Sequence, residues 1–304
     1  RVNIYYKGTD ITDDCDVVAC RHTDTVGQCD FLEMEMEHAP VWDQWNPQAD
    51  DEIRIEKDGY STGKLYLAGV LPEEGRYRLW AASMPLAARA RKYESFEKKT
   101  LSQIMNACAA GCGMTAKLYG LSGAAKYEYL VRDNETAPAF ISRILEREGA
   151  YLKALDGAVV GITLQYCSGL KPVCEITIEQ DAQGVDYQRR DGKRLSGIDV
   201  ATIYASGSAT DSEGKGGRIQ LCSLPAREND EAKRWAKGLL TCKNALCETL
   251  AIEMEFHPGM TAMSRVTVNT DGRMAGDWVI KTAEHEFIRK TTRVEMVRVP
   301  GSVG

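Results

Sequence analysis

The sequence predicts a mainly β protein with α+β character, in which two antiparallel β-barrels flank one small α/β module. Three observations predict it. Residues 31–37 alternate strictly, with Leu32, Met34 and Met36 on one face and Glu33, Glu35 and Glu37 on the other, the period-two pattern of a strand with one buried face. The pairs Asp58-Gly59, Asp156-Gly157 and Asp191-Gly192 mark tight turns between apolar runs. Between the β segments the apolar period lengthens to that of a helix, with capping residues at the change.

The elements follow in order. Residues 2–6 and 17–21 read as short strands around the polar turn 7–16; 53–56 and 63–70 form a hairpin through Asp58-Gly59, and 76–82 make a further strand. Helical spacing begins at a capping box, Thr100 with Gln103, places Leu101, Ile104, Met105 and Cys108 on one face, and stops at Gly111 and Gly113. A second helix starts near Thr136 with Pro138 in its first turn, carries Phe140, Ile141, Ile144 and Leu145, and stops at Gly149. Strands at 127–131, 150–155 and 159–164 complete this module. The β character returns at 175–179, 185–189, 199–205 and 218–222, with 207–217 read as a flexible connection. One long helix, capped near Asn229 or Asp230, repeats Ala232, Trp235, Ala236, Leu239, Cys242 and Leu246 at helical spacing. It is expected to pack on the barrel that follows, whose strands are 249–256, 264–269, 277–287 and 291–299. The expected domains are therefore 1–90 (first barrel), 91–165 (α/β module) and 166–304 (second barrel with the packed helix 229–247).

At 304 residues the chain can hold two or three modules with their own cores. Its apolar runs are short and interrupted by charge, so none reaches the roughly 20 residues of a membrane helix. Residues 1–16 lack the apolar stretch and cleavage site of a signal peptide, so cytoplasmic synthesis is expected. A net charge of -6 argues against specific nucleic-acid binding, which needs a concentrated basic surface. The basic runs Arg89-Ala90-Arg91-Lys92 and Arg189-Arg190 with Lys193-Arg194 lie beside turn signals and read as solvated loops. Ten cysteines fall inside periodic apolar segments, with no Cys-x-x-Cys, and are expected as buried small hydrophobes outside any disulfide framework or zinc site.

Residues that carry chemistry do not converge along the sequence. His22, His38, His257 and His285 are scattered and form no His-Glu-x-x-His motif. Around Gly214-Lys215 a phosphate loop fails, because Ala209 stands where glycine is needed and Gly216 where serine or threonine is needed. In Gly120-Leu121-Ser122-Gly123 the second glycine comes one residue too early for a nucleophile elbow. Asp50-Asp51 and Glu73-Glu74 sit in charged, loop-like surroundings that would not raise a carboxyl pKa. No catalytic residue, metal ligand or cofactor is expected. Trp42 and Trp45, in the proline-bounded segment 40–47, suit an anchor for a partner surface, a carbohydrate platform, or a folded loop over the barrel end. Trp42, Trp45 and Trp278 are the expected interface residues.

Three segments carry a resemblance. The first runs from the alternating strand through Trp42 and Trp45 to Asp51-Glu52-Ile53-Arg54-Ile55, the Asp58-Gly59 hairpin and Thr62-Gly63-Lys64-Leu65. The second holds Arg132-Asp133-Asn134-Glu135-Thr136, the helix with Phe140, Ile141 and Arg143, Glu148-Gly149-Ala150-Tyr151 and the Asp156-Gly157 turn. The third holds the helix from Glu231-Ala232-Lys233, Pro258-Gly259, Gly276-Asp277-Trp278-Val279-Ile280, His285 and Thr291-Thr292-Arg293. In this order and spacing they resemble the baseplate hub proteins of contractile phage tails, the late control gene D family, related to the N-terminal part of type VI secretion VgrG spikes. The resemblance implies two barrels similar to the tail-tube fold and a homotrimer located in the tail baseplate of a virion or particle. Three subunits with two like barrels present six like surfaces, so a threefold central spike can join a sixfold tail tube. Partners implied are the tail tube protein, the central spike protein, the tape-measure protein and baseplate wedge proteins. Since no spike or lysozyme segment follows Val299, a separate spike protein is expected. The competing readings are the base of a type VI-like secretion spike and a peptidoglycan- or carbohydrate-active tail enzyme using Trp42 and Trp45 with nearby acids.

Overall fold

The computed structural model describes residues 1–37 and 40–299, so His38 lies outside the described residues. The first β module comprises β1 (Asn3–Tyr6), β2 (Thr9–Asp10), β3 (Val17–Thr25), β4 (Phe31–Glu37), the short helix α1 (Pro40–Trp45), β5 (Glu52–Lys57), β6 (Tyr60–Ser61), β7 (Leu65–Glu73) and β8 (Arg76–Ala82). In β4 the alternation works as expected: Leu32, Met34 and Met36 are fully buried. The β5–β6 hairpin turns on Asp58 and Gly59, both at positive φ, the backbone that a two-residue turn matched to strand twist demands. Ile4, Cys20, Leu32, Ile53, Leu65 and Leu79, from six different strands, share one core, so the sheet must coil around it.

The middle module comprises β9 (Lys92–Thr100), α2 (Leu101–Ala110), β10 (Thr115–Tyr119), β11 (Lys126–Glu135), α3 (Ala137–Arg147), β12 (Ala150–Leu155), β13 (Ala158–Thr163) and α4 (Leu164–Ser168). Both helices start as their sequences indicate. Thr100 and Gln103 cap each other reciprocally at α2, and the Thr136 hydroxyl accepts the Ala139 N–H at α3. β13 pairs antiparallel with β12 and parallel with β10, while β9 and β11 form a separate antiparallel ribbon.

The remaining elements are β14 (Glu175–Thr177), α5 (Ile178–Asp181), β15 (Gln183–Arg189), β16 (Leu195–Ala201), β17 (Ser206–Thr210), β18 (Gly216–Leu221), α6 (Asn229–Ala245), β19 (Glu248–Glu255), β20 (Arg265–Asn269), β21 (Gly276–Glu286) and β22 (Thr291–Val297). Here the structure departs from expectation in three ways. The segment 207–217 is no flexible connection: it supplies most of β17 and the start of β18, which flank β16 in a three-stranded sheet. Gly207, Gly214 and Gly216 mark close approach. A Cβ on Gly207 would lie 2.1 Å from the Lys233 nitrogen, because the sheet rests directly on α6. The strand expected at 199–205 is shifted to Leu195–Ala201, and that expected at 175–179 ends at Thr177 before a helical turn.

The third departure concerns α6. Its apolar stripe, Ala232, Trp235, Ala236, Leu239 and Leu240, packs in the core of the middle module with Phe140, Ile144, Ile198 and Val200, and only its end at Ala245 meets the last β module. The Glu148 carboxylate, just past α3, accepts the Trp235 indole N–H at 3.1 Å, the Arg234 guanidinium at 2.7 Å and the Tyr127 hydroxyl at 2.6 Å. Residues 195–245 thus fold with the middle module, inside what the sequence assigned to the second barrel. The last β module is left with β14, β15 and β19 to β22 around Ile176, Leu250, Val266, Trp278 and Met296.

One sheet of fourteen strands unites the two β modules, running β15-β19-β22-β21-β3-β4-β8-β7-β5-β1-β2 with β14, β20 and β6 beside it. The seam is β3 against β21, where Arg21 to Thr25 stand opposite Glu286 to Thr282. The backbone of α6 touches that of the α3 end so closely that a Cβ on Gly238 would lie 2.1 Å from the Arg147 carbonyl oxygen. Gly238→Ala is therefore expected to lower unfolding free energy by about 1–3 kcal/mol through overpacking, measured by urea titration. Gly217→Ala, where nothing lies within 4 Å, should change it by less than about 0.5 kcal/mol.

Candidate interaction surfaces

The three expected interface tryptophans occupy different environments. Trp42, on α1, is fully buried in the first β core, 5.0 Å edge-on to Trp45 and 6.1 Å from Tyr77. Trp278 is fully buried in the last core, where its indole donates to the Met274 carbonyl at 2.8 Å and Arg298 lies 4.2 Å over its ring. Neither side chain presents surface, because both fill cores that would otherwise be empty at the strand ends. Trp45 alone is half-buried, stacked on Tyr6 at 5.8 Å.

Where the three modules meet, a buried cation sits between two buried carboxylates. Lys153 of β12 donates from Nζ to Asp24 Oδ1 on β3 and to Asp30 Oδ1 and Oδ2, the last at 2.6 Å. None of the three residues is more than 5% exposed. Asp24 Oδ2 accepts the Ala262 N–H of the last module at 3.0 Å, and Asp30 Oδ1 accepts the Thr25 N–H at 3.0 Å. Burial opposes ionisation of Asp24, but Lys153 and the hydrogen bonds outweigh it and hold this carboxyl below its usual range. Burial, with the neighbouring Asp24 charge, pushes Asp30 up to about 7. One ammonium thus neutralises one carboxylate and hydrogen-bonds the other.

Beside this cluster two of the scattered histidines come together. His22 and His285, far apart in sequence, face each other across the seam and are at most 1% exposed. His285 Nε2–H donates to the Met260 carbonyl at 2.9 Å and its Nδ1 lies 3.0 Å from the Thr292 hydroxyl; His22 Nδ1 lies 2.7 Å from the Tyr60 hydroxyl. Burial pushes His22 down to about 3 and His285 down to about 4. Nothing in the local sequence signals this pairing, which depends on β3 finding β21.

The solvent face of the large sheet is rich in acid. Register sets Glu253 beside Arg293 and Arg293 beside Glu284, Glu286 beside Arg21 and Arg21 beside Glu33, and Glu35 beside Arg78. Glu255 and Glu295 lie on the same face. Burial, with repulsion from Glu284 and Glu33, pushes Glu286 up against the pull of Arg21. The cysteines are free, and all but the exposed Cys222 are wholly or partly buried. Among the described residues no group of histidine, cysteine and carboxylate side chains is arranged to hold a metal ion.

Two apolar features stand apart from that face. The turn 202–205 between β16 and β17 leaves Ile203 89% and Tyr204 60% exposed. It is held rigid by the Thr202 hydroxyl, which accepts the N–H groups of Tyr204 and Ala205 and donates to the Ala226 carbonyl, all within 3.1 Å. Arg227 lies 4.3 Å over the Tyr204 ring. Elsewhere, a groove of about 780 Å³ runs between the β3–β4 turn and α3, lined by the apolar Cys29, Phe31, Met84, Pro85, Ala88 and Ala139 and by the polar Gln28, Asp30, Arg89, Ser142, Arg143 and Glu146.

The family model described as phage tail baseplate hub (GPD) matches residues 73–160, from the end of β7 into β13. That span takes in most of the second of the three motif segments, which resemble the same family, and the likeness extends to solved structures. The 43 kDa tail protein of prophage MuSo2 from Shewanella oneidensis aligns over 98% of this chain and 97% of its own at a TM-score of 0.71 and 13% identity. A tail protein from Neisseria meningitidis MC58 covers 98% and 96% at 0.72 and 13%. The c3393 protein from E. coli, described as a component of the type VI secretion system with structural similarity to T4 bacteriophage tail proteins, covers 98% and 77% at 0.65 and 11%. At these identities the likeness is one of fold. No curated protein matches the sequence.

Lys153→Met, which leaves two buried carboxyls without their cation, is expected to cost about 3–5 kcal/mol of unfolding free energy, read by urea titration at pH 7. The folded values of His22 and His285 lie below the free value of 6.5, so the native state resists protons that the unfolded chain accepts. Their contribution is complete above about pH 6.5 and is lost as pH falls toward 4. Asp30, held up to about 7, acts in the opposite sense over the same window, so the histidine effect is read as a difference between proteins. His285→Gln should reduce the pH slope of unfolding free energy between about pH 6 and 4.5 by about 1.4 kcal/mol per unit, one proton.

Proposed function

We propose that the chain is the structural hub of a contractile tail or injection-machine baseplate, a homotrimer adapting a sixfold tail tube to a threefold central spike. The observation that carries this reading is the fourteen-stranded sheet, which joins a first and a last β module edge to edge in one subunit. Three copies of such a subunit offer six β modules around one axis, the match that a tube-to-spike adaptor requires. The fold shared with tail proteins over nearly the whole chain and the hub family match to the middle of it support the same reading. In it, the acid-rich sheet face lines the lumen and repels a polyanion in transit. The carbohydrate-platform alternative loses its basis, since the Trp42 ring is inside a core. The base of a type VI-like spike remains a second reading, favoured by the likeness to the E. coli secretion component.

Light scattering on the purified chain, alone and with candidate tube and spike proteins, tests the proposal. A particle of three times 33.6 kDa, formed alone or with the spike, is expected. A strictly monomeric particle in every mixture would overturn the hub reading, and a hexameric ring would point to a tube component instead.

A further inference from the structure

We infer that the β3–β21 seam is an acid-released joint: protons taken up by His22 and His285 part the last β module from the first while each module stays folded. The inference does not depend on the trimeric reading. Composition sets the seam apart from the cores it joins. Of the residues paired across it, Arg21 to Thr25 on β3 and Thr282 to Glu286 on β21, only Ala283 is apolar. Side chains reach across it where the Thr25 hydroxyl meets that of Thr282, where Arg21 lies 3.9 Å from Glu286, and where Asp24 accepts the Ala262 N–H. Each histidine instead finds its hydrogen bonds on its own side, His22 with Tyr60 of the first module and His285 with Met260 and Thr292 of the last. Parting the strands therefore wets both rings without breaking a hydrogen bond that they make. Its cost is the backbone ladder and the withdrawal of Phe287, which follows β21 into the first core, and these hold the joint shut at neutral pH.

The closed seam has no place for a second proton on either ring. His22 Nε2 is buried without a hydrogen-bond partner among the described residues, so a proton there is an uncompensated buried charge, and the Lys153 ammonium repels it. His285 already donates from Nε2, and a proton on Nδ1 would face the Thr292 hydroxyl, which also accepts the His257 N–H. Once the strands part, water takes up both charges. Each ring therefore sits below its free value of 6.5 while the seam is closed, so closure is favoured above about pH 6.5 and is lost as pH falls toward 4. Asp24 and Asp30 keep Lys153 as their partner in the open state, because that cluster joins the first module to the middle one. Tyr60, held well above its ordinary value, stays neutral, and His257 adds repulsion to a charged His285. On the opposite face Glu286, held up by burial with Glu284 and Glu33 against Arg21 and Arg289, works in the other sense, with one proton against the histidines' two.

Hydrogen exchange of the full chain, followed by mass spectrometry at about pH 7 and about pH 4.5 and corrected for the intrinsic rate, tests the joint. Protection of residues 21–25 and 282–286 should fall at least about tenfold at the lower pH, while α3 and β13 keep theirs. The double variant His22→Gln with His285→Gln, whose amides hydrogen-bond without titrating, should keep its seam protection in acid. Three outcomes would each overturn the inference: a wild-type seam equally protected at both pH values, all modules losing protection together, or a double variant that opens as the wild type does. Should the double variant fail to fold, the wild-type contrast between the seam and α3 with β13 decides alone. None of these results bears on the hub reading, which rests on the size of the assembled particle.

Discussion

The arrangement of the three modules depends on one buried ammonium group. Lys153 reaches from the middle module to Asp24 and Asp30 of the first, and Asp24 in turn holds the Ala262 amide of the last. An ion pair taken out of water gains little net energy over a hydrophobic substitute, but it tolerates no other geometry. That property suits a joint better than it suits a core. The apolar cores of the modules would accept small rotations of one against another, whereas a cation that must satisfy two carboxyls fixes the angle at which β12 meets β3.

The seam beside it extends the same control to the sheet. Pairing β3 with β21 aligns the two β modules strand by strand, and the facing histidines are sealed there in neutral form with hydrogen-bond partners from Tyr60, Thr292 and the Met260 carbonyl. With seam and cation together, the solvent face of the sheet becomes one continuous charged surface instead of two. Its acidity emerges only in this context, since Glu33 of β4 and Glu284 and Glu286 of β21 become neighbours through Arg21 and Thr23 of β3.

Much of the secondary structure was legible because local physics decides it. Alternation exposed β4, the Thr100–Gln103 box announced α2, Thr136 and Pro138 announced α3, and Asp58-Gly59 and Asp156-Gly157 placed hairpins where φ is positive, whereas Asp191-Gly192 opens a 3-10 turn instead. The errors share a cause: they concern what lies against what. Gly207 and Gly214 look like loop residues until the helix and strand backbone pressed against them are known. The stripe of α6 shows that it packs, yet not that its partners are α3 and the β16–β17 sheet. Trp42, in a proline-bounded segment, suggested a surface, whereas the ring is the filling of the first core. Lys153 resembled any outward residue of a strand, and only two aspartates more than a hundred residues away give it meaning.

The seam also orders events during synthesis. The hydroxyls of Thr25 and Thr282 meet at 2.9 Å although 257 residues separate them. At the roughly 5–20 residues per second of translation, β3 waits on the order of 10–50 s before β21 leaves the ribosome. During that interval β3, paired with β4 on one side only, presents an unpaired edge, the feature most prone to join the wrong chain. Loop closure over such a distance is slow as well. The nascent chain thus carries this open edge from the time β3 and β4 pair, and is relieved of it only when β21 emerges.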